Sequence, residues 1–150
     1  HRIKYQGEKT LGIYMGEMMG NLLVQQYRYQ RIDVIIPLPL NDRKLRQRGF
    51  NQAALLAEGI ANKLEKPVQT SAVVRTQYTA TQTKKNRIQR WMNVEHVFDI
   101  GHEHQLENKH VLLVDDVITT GATMEAMGAV LLKIPGLKLS LCSLAYASRI

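Results

Sequence analysis

The spacing of apolar residues in the first third of the chain predicts one long helix. From Glu8 to Tyr29 apolar side chains recur at about the helical period of 3.6 residues. The positions expected on its buried face are Leu11, Met15, Met18, Leu22 and Tyr27. The methionines of this segment, Met19 included, are expected in the core because their flexible side chains fill irregular gaps.

Shorter apolar runs follow and predict alternating strands and helices. A strand over residues 33–36 stops at Pro37 and Pro39, because proline cannot donate a hydrogen bond to a sheet ladder. The following helix is predicted from Ala53 to Leu64, with its buried face at Phe50, Ala54, Ala57, Ala61 and Leu64. A further strand is expected from Pro67 through Val68 to Val74.

The second half of the chain continues the alternation after a polar stretch. Residues 76–92 have almost no aliphatic periodicity and predict a long loop, which in a compact domain usually has a function. Then come a short segment at 97–100, a strand from His110 to Val114, a helix ending before Pro135, and a strand from Leu137 to Tyr146. This order predicts an α/β fold with a central, mainly parallel sheet flanked by helices.

Composition and charge narrow the class of protein. The 150 residues suit a single domain spanning 1–150, and 45% hydrophobic with 22% charged residues exclude general disorder. The net charge of +7 favours anionic ligands such as phosphates, nucleic acid or acidic lipid. One cysteine, Cys142, excludes a disulfide framework and favours a reducing, cytoplasmic location. No apolar run approaches the roughly 18 residues that insertion into a membrane needs.

The candidate chemistry lies directly after the aliphatic run 111–114. Two acids, Asp115 and Asp116, are followed by a hydroxyl-rich glycine turn that opens a helix. In an open parallel sheet, ligands bind beyond the carboxyl ends of the strands, and a helix N-terminus favours phosphate. The hydroxyls of Thr119 and Thr120 can donate to phosphate oxygens. The acids then need a neutral or cationic partner, such as sugar hydroxyls or a divalent ion.

Other phosphate sites have motifs that this sequence lacks. It contains neither GxxxxGK[ST] nor GxGxxG, which argues against a P-loop site and a dinucleotide fold. An ordinary strand–helix turn capped by a threonine remains the alternative from the residues alone. The five histidines lack the helical spacing of a zinc site, so we assign no metal to them.

The motif Asp115-Asp116-x-x-Thr119-Thr120-Gly121-Ala122-Thr123 resembles the ribose-phosphate signature of type I phosphoribosyltransferases. The resemblance implies that family's fold, including a flexible hood loop. It also implies that the acidic pair holds the 2′ and 3′ hydroxyls of phosphoribosyl pyrophosphate (PRPP). The turn formed by Thr119, Thr120, Gly121, Ala122 and Thr123 would then bind the 5′-phosphate.

A second motif resembles the ComF/GntX group, the competence protein F branch of that family. It comprises Pro37-Leu38-Pro39-Leu40 followed by Arg43-Lys44-Leu45-Arg46-Gln47-Arg48-Gly49-Phe50-Asn51-Gln52-Ala53. The resemblance implies that the loop after the first core strand receives pyrophosphate, which assigns Pro37, Leu38, Pro39 and Arg48 to it. Without the resemblance, the four cations of this stretch would predict only a solvated basic turn.

Two further motifs, Thr79-x-x-Gln82 and Arg90-x-x-Asn93-Val94, resemble the same branch in its catalytic hood. The resemblance makes Arg87 and Arg90 catalytic candidates that close over the leaving pyrophosphate. Other cations near them, Arg75, Lys84 and Lys85, remain open alternatives.

The resemblance implies a Mg²⁺-dependent transfer of phosphoribose from PRPP to an unidentified acceptor, with a link to DNA uptake in competence. The alternatives are a non-catalytic PRPP sensor and an accessory factor that contacts single-stranded DNA or the competence machinery. Relatives in this branch carry an N-terminal four-cysteine zinc ribbon, which this chain lacks. Because the chain opens at His1 and not at Met, we expect that an N-terminal portion is missing.

Overall fold

Helices and parallel strands alternate through most of the computed structural model, which describes residues 2–75, 98–101 and 105–147, with the backbone alone for residues 2–4. The elements are α1 (Arg2–Val24), a 3₁₀ turn (Tyr27–Arg31), β1 (Val34–Pro37), α2 (Asp42–Arg48), α3 (Gln52–Leu64), β2 (Val73–Arg75), β3 (Phe98–Ile100), β4 (His110–Ile118), α4 (Ala122–Leu131) and β5 (Lys138–Tyr146). This order confirms the predicted α/β class.

The main sheet is parallel and has β4 at its centre, in the order β1-β4-β5. The far edge of β1 is extended by one short parallel contact, in which Ile35 N–H donates to the carbonyl of Pro67 at 2.9 Å. A strand was predicted from Pro67 to Val74, and its first part forms only this contact at Val68. The rest of that prediction becomes β2, in a separate sheet.

Both faces of the sheet are covered, because successive side chains of a strand point to opposite sides. Ile36 and Leu113 face α4 and the β2–β3 ribbon, whereas Ile35, Leu112 and Val114 face α1 and α3. Burial on both sides explains the uninterrupted apolar run in β4, a pattern typical of central parallel strands.

The predicted buried face of α1 is wrong at four of its five positions. The side chains of Leu11, Leu22 and Tyr27 are 57%, 67% and 69% exposed, and Met18 is also exposed. The helix turns a different side to α3, where Met15 and Met19 pack on the core as expected for methionine. The helix also ends earlier than predicted, at Val24, and a 3₁₀ turn follows.

Glycines explain the orientation of α1. Gly12, Gly16 and Gly20 face α3, and a Cβ on Gly16 would overlap the carbonyl oxygen of Leu56. In return, a Cβ on Gly59 of α3 would overlap the carbonyl oxygen of Ile13. The two helices therefore touch through their backbones. The pattern of apolar side chains cannot predict this contact, because glycine has no side chain.

The other elements confirm most of the predicted positions and correct three points. The bounds of α3, α4 and β5 agree with the sequence within a few residues, although α3 buries Leu56 and Ile60 in place of Phe50 and Ala54. The basic stretch at 42–48, expected to be a loop, is the short helix α2. Strand β4 continues to Ile118 and does not stop at Val114.

Strands β2 and β3 form an antiparallel ribbon that brings Arg75 opposite Phe98. The Arg75 guanidinium lies 5.8 Å from the centre of the Phe98 ring. The predicted loop at 76–92, with Arg87 and Arg90, lies outside the described residues. Among the described helices, none is long and apolar enough to cross a membrane.

Candidate functional site

The acidic pair lies inside β4, at the point where its neighbour β1 ends. Pro37, the last residue of β1, pairs with Val114, and the N–H of Leu38 then donates to the Val114 carbonyl at 2.8 Å. On the other side, β5 continues beside β4 and pairs Ser143 with Asp115. The pair therefore borders the space beyond the carboxyl end of β1. The sequence predicted that the pair lies beyond the end of its own strand, and this prediction is wrong because β4 continues to Ile118.

The two carboxylates lie close together, because the Asp116 side chain hydrogen-bonds with Asp115. Asp116 also lines a cavity together with residues of α1 and α3. Both side chains are half-buried, so each is reachable from solvent at the edge of β1.

Burial and the neighbouring acid raise the pKa of Asp115 from its ordinary value of 3.8 to about 6. Burial is the largest cause, and the hydrogen bond and charge of the Asp116 side chain act in the same direction. The N–H of Asp116 donates to Asp115 Oδ1 at 2.8 Å and partly opposes the increase in pKa. In the described part of the chain, no lysine or arginine contributes to this shift.

The glycine turn lies between β4 and α4, as the sequence predicted. Gly121 is the N-cap of α4 and has φ 80°, a backbone conformation that favours glycine. The cap residue has no side chain to bond to the helix, and the amides in the first turn of an α-helix have no partner within the helix. The exposed Thr120 adds a hydroxyl, and its Oγ1 accepts from the N–H of Ala122 at 3.3 Å.

The segment after β1 combines a buried start with an exposed basic helix. Pro37 and Leu38 are buried, and the Leu38 carbonyl accepts from Asn51 Nδ2 at 3.0 Å. Asn41 caps α2 by accepting from the N–H of Lys44 at 2.8 Å. All four cations of α2 are exposed: Arg43, Lys44, Arg46 and Arg48. Of the residues assigned to pyrophosphate, Pro39 and Arg48 are the ones with accessible side chains.

A cavity beside Asp116 was not predicted from the sequence. It has a volume of about 320 Å³ and lies between α1, the start of α3 and the ends of β4 and β5. Glu8, Phe50, Gln52 and Leu144 contribute to it. Phe50 and Gln52 belong to the second motif, so the sequence contained a signal for this part of the cavity. Glu8 lies more than forty residues away from Phe50 along the chain.

Cys142 is half-buried against the α1 and α3 side of the core. Burial raises the pKa of its thiol, so the reactive thiolate is disfavoured.

Among the described residues, no three histidine, cysteine or acidic side chains are grouped as a metal cage. The acidic pair fits Mg²⁺ in the way that ion is commonly held, by one or two carboxylates together with substrate oxygens.

A parallel sheet, an acidic pair at its carboxyl edge and a glycine turn opening a helix are the features of a phosphoribosyltransferase domain. The family model of the phosphoribosyl transferase domain matches residues 51–149, and the chain belongs to this family.

Curated relatives confirm the resemblance to the competence protein F branch. DNA utilization protein YhgH of Shigella flexneri is 37% identical over 136 residues, covering 89% of this chain and 59% of that protein. Competence protein F of Haemophilus influenzae is 33% identical, covering 77% of this chain and 51% of that protein. Competence protein ComFC of Bacillus subtilis is 34% identical, covering 67% and 38%. The chain thus spans about half the length of these relatives.

Solved structures confirm the type I fold. Glutamine PRPP amidotransferase from B. subtilis matches with a TM-score of 0.59 at 18% identity, covering 86% of this chain and 26% of that chain. A purine phosphoribosyltransferase from Pyrococcus horikoshii matches with a TM-score of 0.57 at 18% identity, covering 91% and 84%.

Proposed function

We propose that this protein binds Mg²⁺ and PRPP and transfers the phosphoribosyl group to an acceptor, with release of pyrophosphate. The observation that carries the proposal is the placement of Asp115 and Asp116 between the end of β1 and the glycine turn. Family membership and the fold support it.

Each part of the site has a role set by its chemistry. The carboxylates of Asp115 and Asp116 accept hydrogen bonds from the ribose hydroxyls, and together with substrate oxygens they would hold Mg²⁺. When bound, that ion neutralises charge on the pyrophosphate. The amides and hydroxyls of the turn from Thr119 to Thr123 bind the 5′-phosphate at the positive end of α4.

The barrier to transfer is lowered by position and charge. Departure of pyrophosphate leaves positive charge on the anomeric carbon, and a fixed ribose keeps that carbon aligned with its acceptor. Negative charge develops on the leaving group, where Arg48 and the other α2 cations, with Pro37, Leu38 and Pro39, form the receiving segment. Arg87 and Arg90 stay in the proposal as the groups that close over pyrophosphate.

The acidic pair provides the direct test. The double variant Asp115→Asn, Asp116→Asn keeps the size of both side chains but removes their charge. Hydrogen bonds to charged groups contribute about 1.5–3 kcal/mol each, so the affinity for Mg²⁺ and PRPP should fall at least tenfold. Calorimetric titration measures it, with Glu58→Gln on the exposed side of α3 as the control. An unchanged affinity in the double variant would contradict the proposal.

Release of pyrophosphate separates an enzyme from a sensor. The transferase produces pyrophosphate from PRPP in the presence of one member of a panel of bases and amines. A sensor binds PRPP with the same residues and releases none. Turnover above the level of the double variant rejects the sensor.

We also place the protein in the cytoplasm, where a lone thiol such as Cys142 stays reduced.

Binding of single-stranded nucleic acid is a second candidate function. The observation that favours it is helix α2, which exposes four cations within six residues on a chain of net charge +7. The relatives named for DNA utilization and competence support it. A mobility shift with single-stranded DNA at physiological salt tests it, and the absence of a complex would reject it.

A further inference from the structure

The cavity beside Asp116 has the dimensions of a small-molecule site. Its volume of about 320 Å³ lies at the lower end of ligand pockets, which span about 300–1,000 Å³. Residues from α1, α3, β4 and β5 line it, so it exists only where these four elements meet. It adjoins the predicted ribose position through Asp116.

Most of the cavity wall is apolar. Six aliphatic side chains supply it: Leu11, Met15, Leu55, Leu56, Val117 and Leu144. Phe50 adds an aromatic surface, and the ring of Tyr5 meets it edge-on with the ring centres 6.4 Å apart. The body of a bound molecule would therefore be apolar or aromatic.

Two of the three polar side chains that line the cavity are acidic. Glu8 and Asp116 contribute carboxylates and Gln52 an amide, and no lysine or arginine is among the lining residues. Outside the lining, Arg48 donates from Nη1 to Gln52 Oε1 at 3.1 Å. In a chain of net charge +7, this lining selects for donors of N–H and against anions.

We propose that this cavity binds the acceptor, and that the acceptor is a small amine with an apolar body. The inference rests on the proposed function, because it places the amine next to a ribose held by Asp116. The N–H groups of the amine donate to Asp116 and Glu8, and its body contacts Phe50 and the aliphatic wall.

The reaction balances with no further reactant. An amine bound as its ammonium first loses one proton to solvent, and the nitrogen lone pair then forms a bond to the anomeric carbon of PRPP. The bond from that carbon to pyrophosphate oxygen breaks, and its electron pair leaves with pyrophosphate. The nitrogen then loses a second proton to solvent, so the products are a phosphoribosylated amine, pyrophosphate and two protons.

The test uses three probes with the same ring and different charge: benzylamine, benzyl alcohol and benzoate. Each is titrated into the full chain while backbone amide shifts are recorded by NMR. Benzylamine should bind most tightly and move the amides of Gly12, Gln52 and Val117, which line the cavity. Benzoate should leave these amides unmoved.

Charge variants of Glu8 make the test specific. Glu8 is exposed, so Glu8→Gln should weaken benzylamine binding about two- to fivefold, the range expected for an exposed ion pair. Glu8→Lys should reverse the preference, so that benzoate binds better than benzylamine. Glu58→Gln, an exposed acid outside the cavity, is the matched control and should bind as the wild type does.

Three results would overturn the inference: equal binding of benzoate and benzylamine, shifts that avoid the cavity, or no response to the Glu8 substitutions. Titration of the wild type with Mg²⁺ and PRPP keeps the two proposals apart. If PRPP binds and benzylamine does not, the acceptor assignment alone is wrong. If benzylamine binds in the cavity and PRPP does not bind, the transferase proposal is wrong and with it the acceptor role.

Discussion

At the scale of single residues, Asp115 combines a proposed role in binding with a cost in stability. Its pKa in the folded protein is about 6, against an ordinary value of 3.8. The folded state therefore binds this proton more tightly than the unfolded state does. The penalty for the ionised carboxylate is fully present above about pH 6 and disappears as the pH falls toward 4. A group that destabilises the fold at neutral pH is typical of binding sites.

We predict that Asp115→Asn increases the free energy of unfolding at pH 7, because the neutral amide carries no desolvated charge. The gain should shrink as the pH falls and vanish near pH 4. Urea denaturation at several pH values measures this gain.

In Asp116→Asn, we predict that the pKa of Asp115 falls toward 3.8 without reaching it, because burial remains. NMR titration of the carboxyl carbon would refute this cause if the midpoint did not move.

At the scale of elements, the contact between α1 and α3 determines which face of α1 is buried. Glycines on both helices allow the backbones to touch, and the larger apolar side chains of α1 remain in solvent. The same contact positions Glu8 and Leu11 beside β4, so it also forms the cavity.

We predict that Gly16→Ala and Gly59→Ala each destabilise the protein by about 1–3 kcal/mol, because a methyl group would overlap backbone that has no alternative rotamer. Gly7→Ala is the matched control in α1, where a Cβ meets nothing within 4 Å. There the substitution should stabilise by about 0.5–1 kcal/mol, since alanine favours a helix. Urea denaturation compares the three variants. Equal stabilities would show that the helices do not pack through these glycines.

At the scale of the whole molecule, the charge is unevenly placed. The chain has a net charge of +7, and α2 concentrates four exposed cations, whereas the cavity beside Asp116 is lined by two acids. A basic outer surface next to an acidic cavity would separate the two kinds of binding that we propose, of phosphates and of an amine. We expect association with nucleic acid to involve the exposed cations of α2.

We predict that the affinity for single-stranded DNA falls steeply with salt, because each contacted phosphate releases bound cations. Replacing the α2 cations with glutamine should reduce the slope of log affinity against log salt by about 0.7 for each lost contact, or up to about 3. The residues replaced are Arg43, Lys44, Arg46 and Arg48.

A second quadruple variant controls for net charge. It replaces four exposed lysines elsewhere with glutamine: Lys63, Lys109, Lys133 and Lys138. Both variants lose four positive charges, so only a local site at α2 makes their slopes differ. Fluorescence anisotropy at several salt concentrations measures both, and identical slopes would refute α2 as the binding surface.

The amino-acid sequence by itself determined the elements and motifs that depend on neighbouring residues. The run 111–114, the acids after it and the turn to Thr123 lie within one short stretch, so their order is visible without the fold. Short-range periodicity likewise located α3, α4 and β5. The cap of α2 at Asn41 is also local, and attention to it would have corrected the predicted loop at 42–48.

Only the tertiary structure decided features that join distant residues. The buried face of α1 depends on glycines of α1 and α3 that meet across more than forty residues of chain. The raised pKa of Asp115 depends on burial, and the acidic cavity brings Glu8 together with Asp116. Periodicity shows which side chains of an element are apolar. The close approach of two backbones and the burial of a charged group depend instead on a second element that packs against the first.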